Sequence, residues 1–149
     1  MAQIKLHPDF RDFLKLLNSH GVKYLIVGGY AVGYYGYPRA TGDMDVWIAV
    51  DAENAAKTAS ALCAFGMPKD EVTETLFLQE DAIIRIGIPP VRIEIITNAS
   101  GVDFSDCYEH RVLVKINEIT VNFISLDDLK RNKKACGRHK DLDDLEHLP

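Results

Sequence analysis

The stretch Thr41-Gly42-Asp43-Met44-Asp45-Val46-Trp47-Ile48 constrains this chain more than any other. A glycine-containing loop runs into an apolar segment that reads as a strand. Side chains on a strand alternate between its faces, so residues two apart point the same way. Asp43 and Asp45 therefore stand side by side on one face, with Met44, Val46 and Ile48 on the other. Adjacent like charges repel, and a strand seldom carries such a pair without a use for it. A divalent cation is the commonest use, because it turns the repulsion into chelation.

The remainder of the chain reads as one globular domain over residues 1–149, with 47% apolar and 26% charged residues. Apolar runs are too short for a membrane span, and the first residues lack a secretory pattern. Cys63, Cys107 and Cys136 are odd in number and widely spaced, which suggests neither a disulfide framework nor a zinc site. These features predict a reduced, cytoplasmic protein with no membrane partner. The net charge of −5 argues against a general nucleic-acid binder. Residues 130–140 nevertheless hold six Lys or Arg and no acid. That stretch either meets phosphates or forms a solvated helix face balanced by the acids around it.

Periodicity predicts a helix over Pro8–His20, a buried strand over Lys23–Val27, and a short helix over Tyr30–Tyr35. The carboxylate strand continues to about Val50. Asp51 then caps an alanine-rich helix, Ala52–Phe65, stopped by Gly66. Glu71–Gln79 is expected to be helical. Ala82–Ile86 and Val91–Ile96 form a strand pair, Asp103–Tyr108 a helical turn, and Val112–Ile116 with Ile119–Ile124 a hairpin around Asn117-Glu118. Ser125 starts a helix that runs to Cys136, and His139–Leu148 makes a last helix whose leucines are expected to face the core. The fold class expected is α/β (α+β), a mixed central sheet flanked by helices, with helices 125–148 packed on the core.

Four further elements carry chemistry. Glu94, in Arg92-Ile93-Glu94-Ile95-Ile96, points away from its buried isoleucine neighbours. Alone this is ordinary strand alternation; beside Asp43 and Asp45 it offers a third carboxylate from a neighbouring strand. Gly28, Gly29 and Tyr30 follow a strand and open a helix, where glycines let backbone N–H groups approach a phosphate. The same residues also suit a tight turn with no ligand. Arg39 and Thr41 alternate ahead of the carboxylates; Arg39 either steadies a triphosphate or is a surface residue after a proline turn. Lys133 and Arg138 are candidate phosphate partners. Asp141 either orients one of them or caps the last helix.

In this order, Gly28-Gly29, Asp43-Met44-Asp45 and Glu94 resemble the nucleotidyltransferase superfamily, the fold of DNA polymerase β. The Arg39, Thr41, Asp43, Asp45 spacing and the late Lys133, Arg138, Lys140, Asp141, Asp144 stretch look most like a small bacterial branch related to AbiE-type toxins. The resemblance covers nearly the whole chain. It implies transfer of NMP from an NTP to an acceptor hydroxyl on tRNA or other RNA, a protein or a small molecule. It implies two Mg²⁺ ions, replaceable by Mn²⁺, held by Asp43, Asp45 and Glu94. Gly28, Gly29, Tyr30, Arg39, Thr41, Lys133, Arg138 and Asp141 would serve the nucleotide. Gly29 stands where many active relatives have serine, and the helical domain that grips the acceptor in larger relatives is not in this sequence. A catalytically silent nucleotide-binding or interaction module, or one component of a toxin–antitoxin pair, is therefore the alternative.

Overall fold

The computed structural model describes residues 5–38 and 41–149. Helix α1 (Pro8–Ser19) has proline in its first turn, where a missing N–H costs nothing, and His7 accepts a hydrogen bond from the Asp9 N–H. Its buried stripe is Phe10, Phe13, Leu14 and Leu17. Strand β1 (Tyr24–Val27) is buried throughout and runs straight into α2 (Gly28–Tyr34), two residues before the predicted start. Strand β2 (Asp43–Ile48) leads to α3 (Ala52–Phe65), capped by Asp51 and closed by Gly66 as predicted.

After α3 the expected helix is only a 3₁₀ turn, Glu74–Leu78. It buries Phe77 alone and lacks a side-chain cap at Thr73, too little to support an α-helix. Then follow β3 (Ile83–Ile88), β4 (Val91–Ile96), α4 (Phe104–Glu109), β5 (Val112–Ile116), β6 (Ile119–Phe123), α5 (Leu126–Cys136) and α6 (His139–His147).

The strands form one mixed sheet in the order β3-β4-β2-β1-β6-β5. Pairing is antiparallel for β1 with β2, β3 with β4 and β5 with β6, and parallel for β2 with β4 and β1 with β6. The mixed-sheet α/β architecture is thus as expected. Met44, Val46, Ile48, Ile93 and Ile95 are buried in the core together with α1 and α3. Asn54, itself buried, ties α3 to two strand ends: its Oδ1 accepts from the Lys23 N–H at 2.7 Å and its Nδ2 donates to the Ala49 carbonyl at 2.9 Å.

Helix α2 packs on the same side as α1, Tyr30 against Phe10 and Tyr34 against Phe123, and α5 lies against the segment after β4. Gly101 lies so close to α5 that an added Cβ would sit 2.4 Å from the Ala135 Cβ. Asn132 of α5 donates to the Ser100 carbonyl at 2.9 Å. These contacts hold α5 beside the end of β4. Helix α6 departs from expectation. Leu148 is buried as expected, but Leu142 is exposed and Leu145 half-buried, whereas Asp141 and Asp144 are buried. Lys133 lies between those two acids, so ion pairing rather than the leucine spacing sets the rotation of this helix. The cysteines are free. Among the described residues no helix is long and apolar enough to cross a membrane.

The β5–β6 hairpin turns on Asn117 (φ 49°) and Glu118 (φ 68°). A two-residue turn of this kind needs both residues left-handed, which asparagine tolerates and glutamate adopts only at a cost. Glu118→Gly is expected to stabilise the fold by about 0.5–1 kcal/mol, read as a higher urea midpoint at unchanged slope.

Candidate active site

The sheet register assembles the site. Parallel pairing sets Asp45 opposite Glu94 and Asp43 opposite Arg92. Antiparallel pairing sets Arg85 of β3 opposite Glu94. Two acids of β2, one acid and one arginine of β4, and one arginine of β3 therefore share a face. Along β1, Val27 is opposite Asp45, so Gly28 falls against the Asp45 side chain. A Cβ at Gly28 would lie 2.0 Å from Asp45 Oδ2, and its φ of 66° is left-handed as well. Glycine is required there on both counts. Gly29 is similarly crowded: a Cβ would stand 3.0 Å from Thr41 Oγ1. That hydroxyl also donates to the Asp43 carbonyl at 3.1 Å, bracing the loop that enters β2.

A cavity of about 620 Å³ opens over this face. Gly28, Gly29, Thr41, Asp43, Asp45, Arg85 and Glu94 border it on the sheet side. Lys133, Arg138 and Lys140 border it from the α5–α6 corner. The size suits a nucleotide-sized ligand. Asp43, Asp45, Glu94, Gly28, Gly29, Thr41, Lys133 and Arg138 are thus gathered around one space. Tyr30 is not; its ring stands edge-on to Phe10, with centroids 5.7 Å apart. Arg39 lies outside the described residues. Asp141 sits behind the cavity wall as a support: it accepts from Lys133 Nζ at 3.1 Å and from Arg138 Nε at 2.6 Å. It also caps α6 through the Arg138 N–H. Both sequence readings of Asp141, orienting and capping, hold at once.

The three sheet acids meet different fates. Arg92 forks onto Asp43, Nε to Oδ1 at 2.7 Å and Nη2 to Oδ2 at 3.0 Å. Those hydrogen bonds hold the Asp43 carboxyl below its ordinary range. Glu94 Oε1 receives Arg85 Nε at 3.0 Å and Arg92 Nη2 at 3.4 Å. No side chain among the described residues hydrogen-bonds to Asp45. Its burial, together with the charges of Glu94 and Asp43, pushes the carboxyl up to about 7, against the weaker pull of Lys133 and Lys140. Asp141 goes the other way: burial alone would raise it, but hydrogen bonds from Arg138 and Lys133 prevail and keep it low.

As they stand, no three acids, histidines or cysteines among the described residues are grouped to hold a metal ion. The donor chemistry still fits one, since all three candidates are hard carboxylate oxygens and Asp45 is short of a partner. Sequence reading passes over Arg85 and Arg92 as site residues. Arg92 was detectable, being two residues before Glu94 on the same strand face. Arg85 was detectable only by counting across the β3–β4 turn.

Two stability measurements follow. The folded protein holds the Asp45 proton more tightly than the unfolded chain, so stability is lost as pH rises from 3.8 through about 7. Asp45→Asn removes that loss; thermal melts should show it about 2 kcal/mol more stable than the parent at pH 8, the gap closing toward pH 4. Lys133→Ala leaves Asp141 and Asp144 buried without their central cation, and is expected to cost about 3–5 kcal/mol in denaturant titration.

No protein-family model matches the chain, and no curated protein matches it significantly. Solved structures do match. A protein of Thermotoga maritima described as a candidate nucleotidyltransferase superposes with a TM-score of 0.62 over 95% of this chain and 93% of its own, at 15% identity. An antigenic nucleotidyltransferase-like protein of Paracoccidioides brasiliensis gives 0.55 over 93% of this chain and 73% of its own, at 20% identity. At such identities the likeness is one of fold: the mixed six-stranded sheet with its flanking helices is the architecture of these nucleotidyltransferase-like proteins.

Proposed function

We propose that the chain transfers a nucleoside monophosphate from a nucleoside triphosphate to an acceptor hydroxyl, using two Mg²⁺ ions, for which Mn²⁺ can substitute. One observation carries this reading. Asp45, without a side-chain hydrogen bond among the described residues and flanked by Asp43 and Glu94, lines a cavity that Lys133, Arg138 and Lys140 also border. A negative floor suits cations and a positive wall suits phosphates. The fold shared with nucleotidyltransferase-like structures supports the same reading.

Asp43, Asp45 and Glu94 would hold the divalent cations, whose positive charge would be supplied at the reacting phosphate and the leaving pyrophosphate. The chain's own groups do the rest. Gly28 and Gly29 admit the phosphates close to the backbone, since neither places a Cβ in the way. Arg138 and Lys140 offset the triphosphate charge from the rim, and Lys133 from the wall behind. Glu94 takes the acceptor proton as the acceptor oxygen bonds to the α-phosphorus; the bond to the bridging oxygen breaks and pyrophosphate departs. The Arg39, Thr41, Asp43, Asp45 spacing supports placement near the AbiE-type branch, with tRNA or a protein as acceptor and a toxin–antitoxin setting.

The second reading is nucleotide binding without turnover. Its support is that Asp43 and Glu94 already carry guanidinium groups. The two readings separate in one assay. The purified protein, Mg²⁺ and each radiolabelled NTP are mixed in turn with total tRNA and with protein extract. Label is expected to move to an acceptor, with a loss of about 100-fold or more in Asp43→Asn. Transfer that survives this substitution sinks the transferase reading, and NTP binding with no transfer in any pool favours the silent module.

A further inference from the structure

Arginines occupy two of the three acids that a cation needs. This follows from the strand register and not from a chance surface contact. Arg92 precedes Glu94 by two residues and so shares its face, and the β2–β4 pairing sets it opposite Asp43. The fork it makes takes one position on each Asp43 oxygen, while Nη2 also lies 3.4 Å from Glu94. Arg85, opposite Glu94 across β3, is half-exposed, borders the cavity and holds the remaining acid.

We infer that Arg92 is a resident counter-ion that keeps the place of a divalent cation on Asp43, so that cation and nucleoside triphosphate enter together. The inference rests on the reading of the cavity as a cation–triphosphate site. Three carboxylates facing two guanidiniums leave the floor with one net negative charge when Asp45 is ionised. A free dication is drawn to that floor far more weakly than to three open carboxylates, because Coulomb attraction scales with the opposing charge. It must also displace a bidentate hydrogen-bonded ion pair or share its oxygens. A triphosphate changes both conditions. It brings oxygens that accept from Arg85 at the cavity wall and from Arg92 beside it, and it brings a ligand set for the cation. Each ligand thus strengthens the other's binding, and the coupling is reciprocal.

The test reads binding rather than turnover. Mn²⁺ binding is followed by electron paramagnetic resonance, alone and with the α,β-methylene analogue of each ribonucleoside triphosphate. The proteins are the parent chain, Arg92→Gln, Arg92→Lys and the double variant Asp43→Asn with Arg92→Gln, each checked for fold by circular dichroism. The parent is expected to bind Mn²⁺ about tenfold or more tightly with an analogue than without. Arg92→Gln should tighten Mn²⁺ binding in the absence of nucleotide by about tenfold and shrink the coupling. Arg92→Lys, which keeps the charge but loses the fork, should gain less and supplies the reading if the glutamine variant does not fold. The double variant should lose the gain, placing the new Mn²⁺ on Asp43. The inference is overturned if freeing Asp43 leaves Mn²⁺ binding unchanged or weaker, since Arg92 would then be orienting Asp43 and not competing for it. A parent that binds no analogue, beside an intact Arg92→Gln gain, sinks the transferase reading and leaves the competition between Arg92 and the cation standing.

Discussion

The parallel pairing of β2 with β4 is the interaction on which the site depends. It brings Asp45 level with Glu94 and Asp43 level with Arg92, and the antiparallel pairing of β1 with β2 brings Gly28 against Asp45. Shift that register by one residue and the acids rotate into the core while Met44 and Val46 turn outward. The core face resists such a slip: Met44, Val46, Ile93 and Ile95 are all buried, so apolar packing on one side enforces charge crowding on the other. The crowding is relieved in three ways. Asp43 takes a forked arginine, Glu94 takes two single contacts, and Asp45 retains affinity for a proton.

The α5–α6 corner uses charge differently. Lys133 is buried, and both Asp141 and Asp144 bond to it. A lone ammonium in such a place would be expensive, and two carboxylates with fixed geometry make it tolerable. Their pairing offsets the Lys133 charge without cancelling its reach: Lys133 and, after it, Lys140 both draw the Asp45 carboxyl downward. The cationic character of the wall is therefore shared between the buried lysine and the rim. Arg138 is itself held by Asp141, so one buried acid sets the position of a buried cation and a rim cation together.

Local signals were legible in the sequence where a single residue carries them. Asp51 and Ser125 accept the N-cap hydrogen bonds expected of them, and the strands holding Asp43, Asp45 and Glu94 present the faces that alternation predicts. Legibility ended where partners come from elsewhere in the chain. That Arg92 belongs to Asp43, 49 residues away, depends on sheet order, which no local pattern encodes. The leucine spacing of α6 misled for a related reason. A helix turns its apolar stripe inward by default, but a buried lysine on the neighbouring helix outbids Leu142 and Leu145, and only Leu148 stays buried. Tyr30, singled out beside the glycine pair, packs against Phe10 because α2 begins at Gly28 and so carries it toward α1.

Thr41 and Gly29 have a consequence for how this corner can vary. The threonine hydroxyl and any side chain at position 29 compete for the same small volume, since a Cβ there would already meet Thr41 Oγ1 at 3.0 Å. A hydroxyl can be delivered to this spot from the loop before β2 or from the start of α2, but the two deliveries exclude each other at the present spacing. Positions 29 and 41 thus behave as one composite residue, with its backbone divided between two elements and a single hydroxyl to assign. Changing one of them alone crowds the corner or empties it; moving the hydroxyl intact requires a paired exchange.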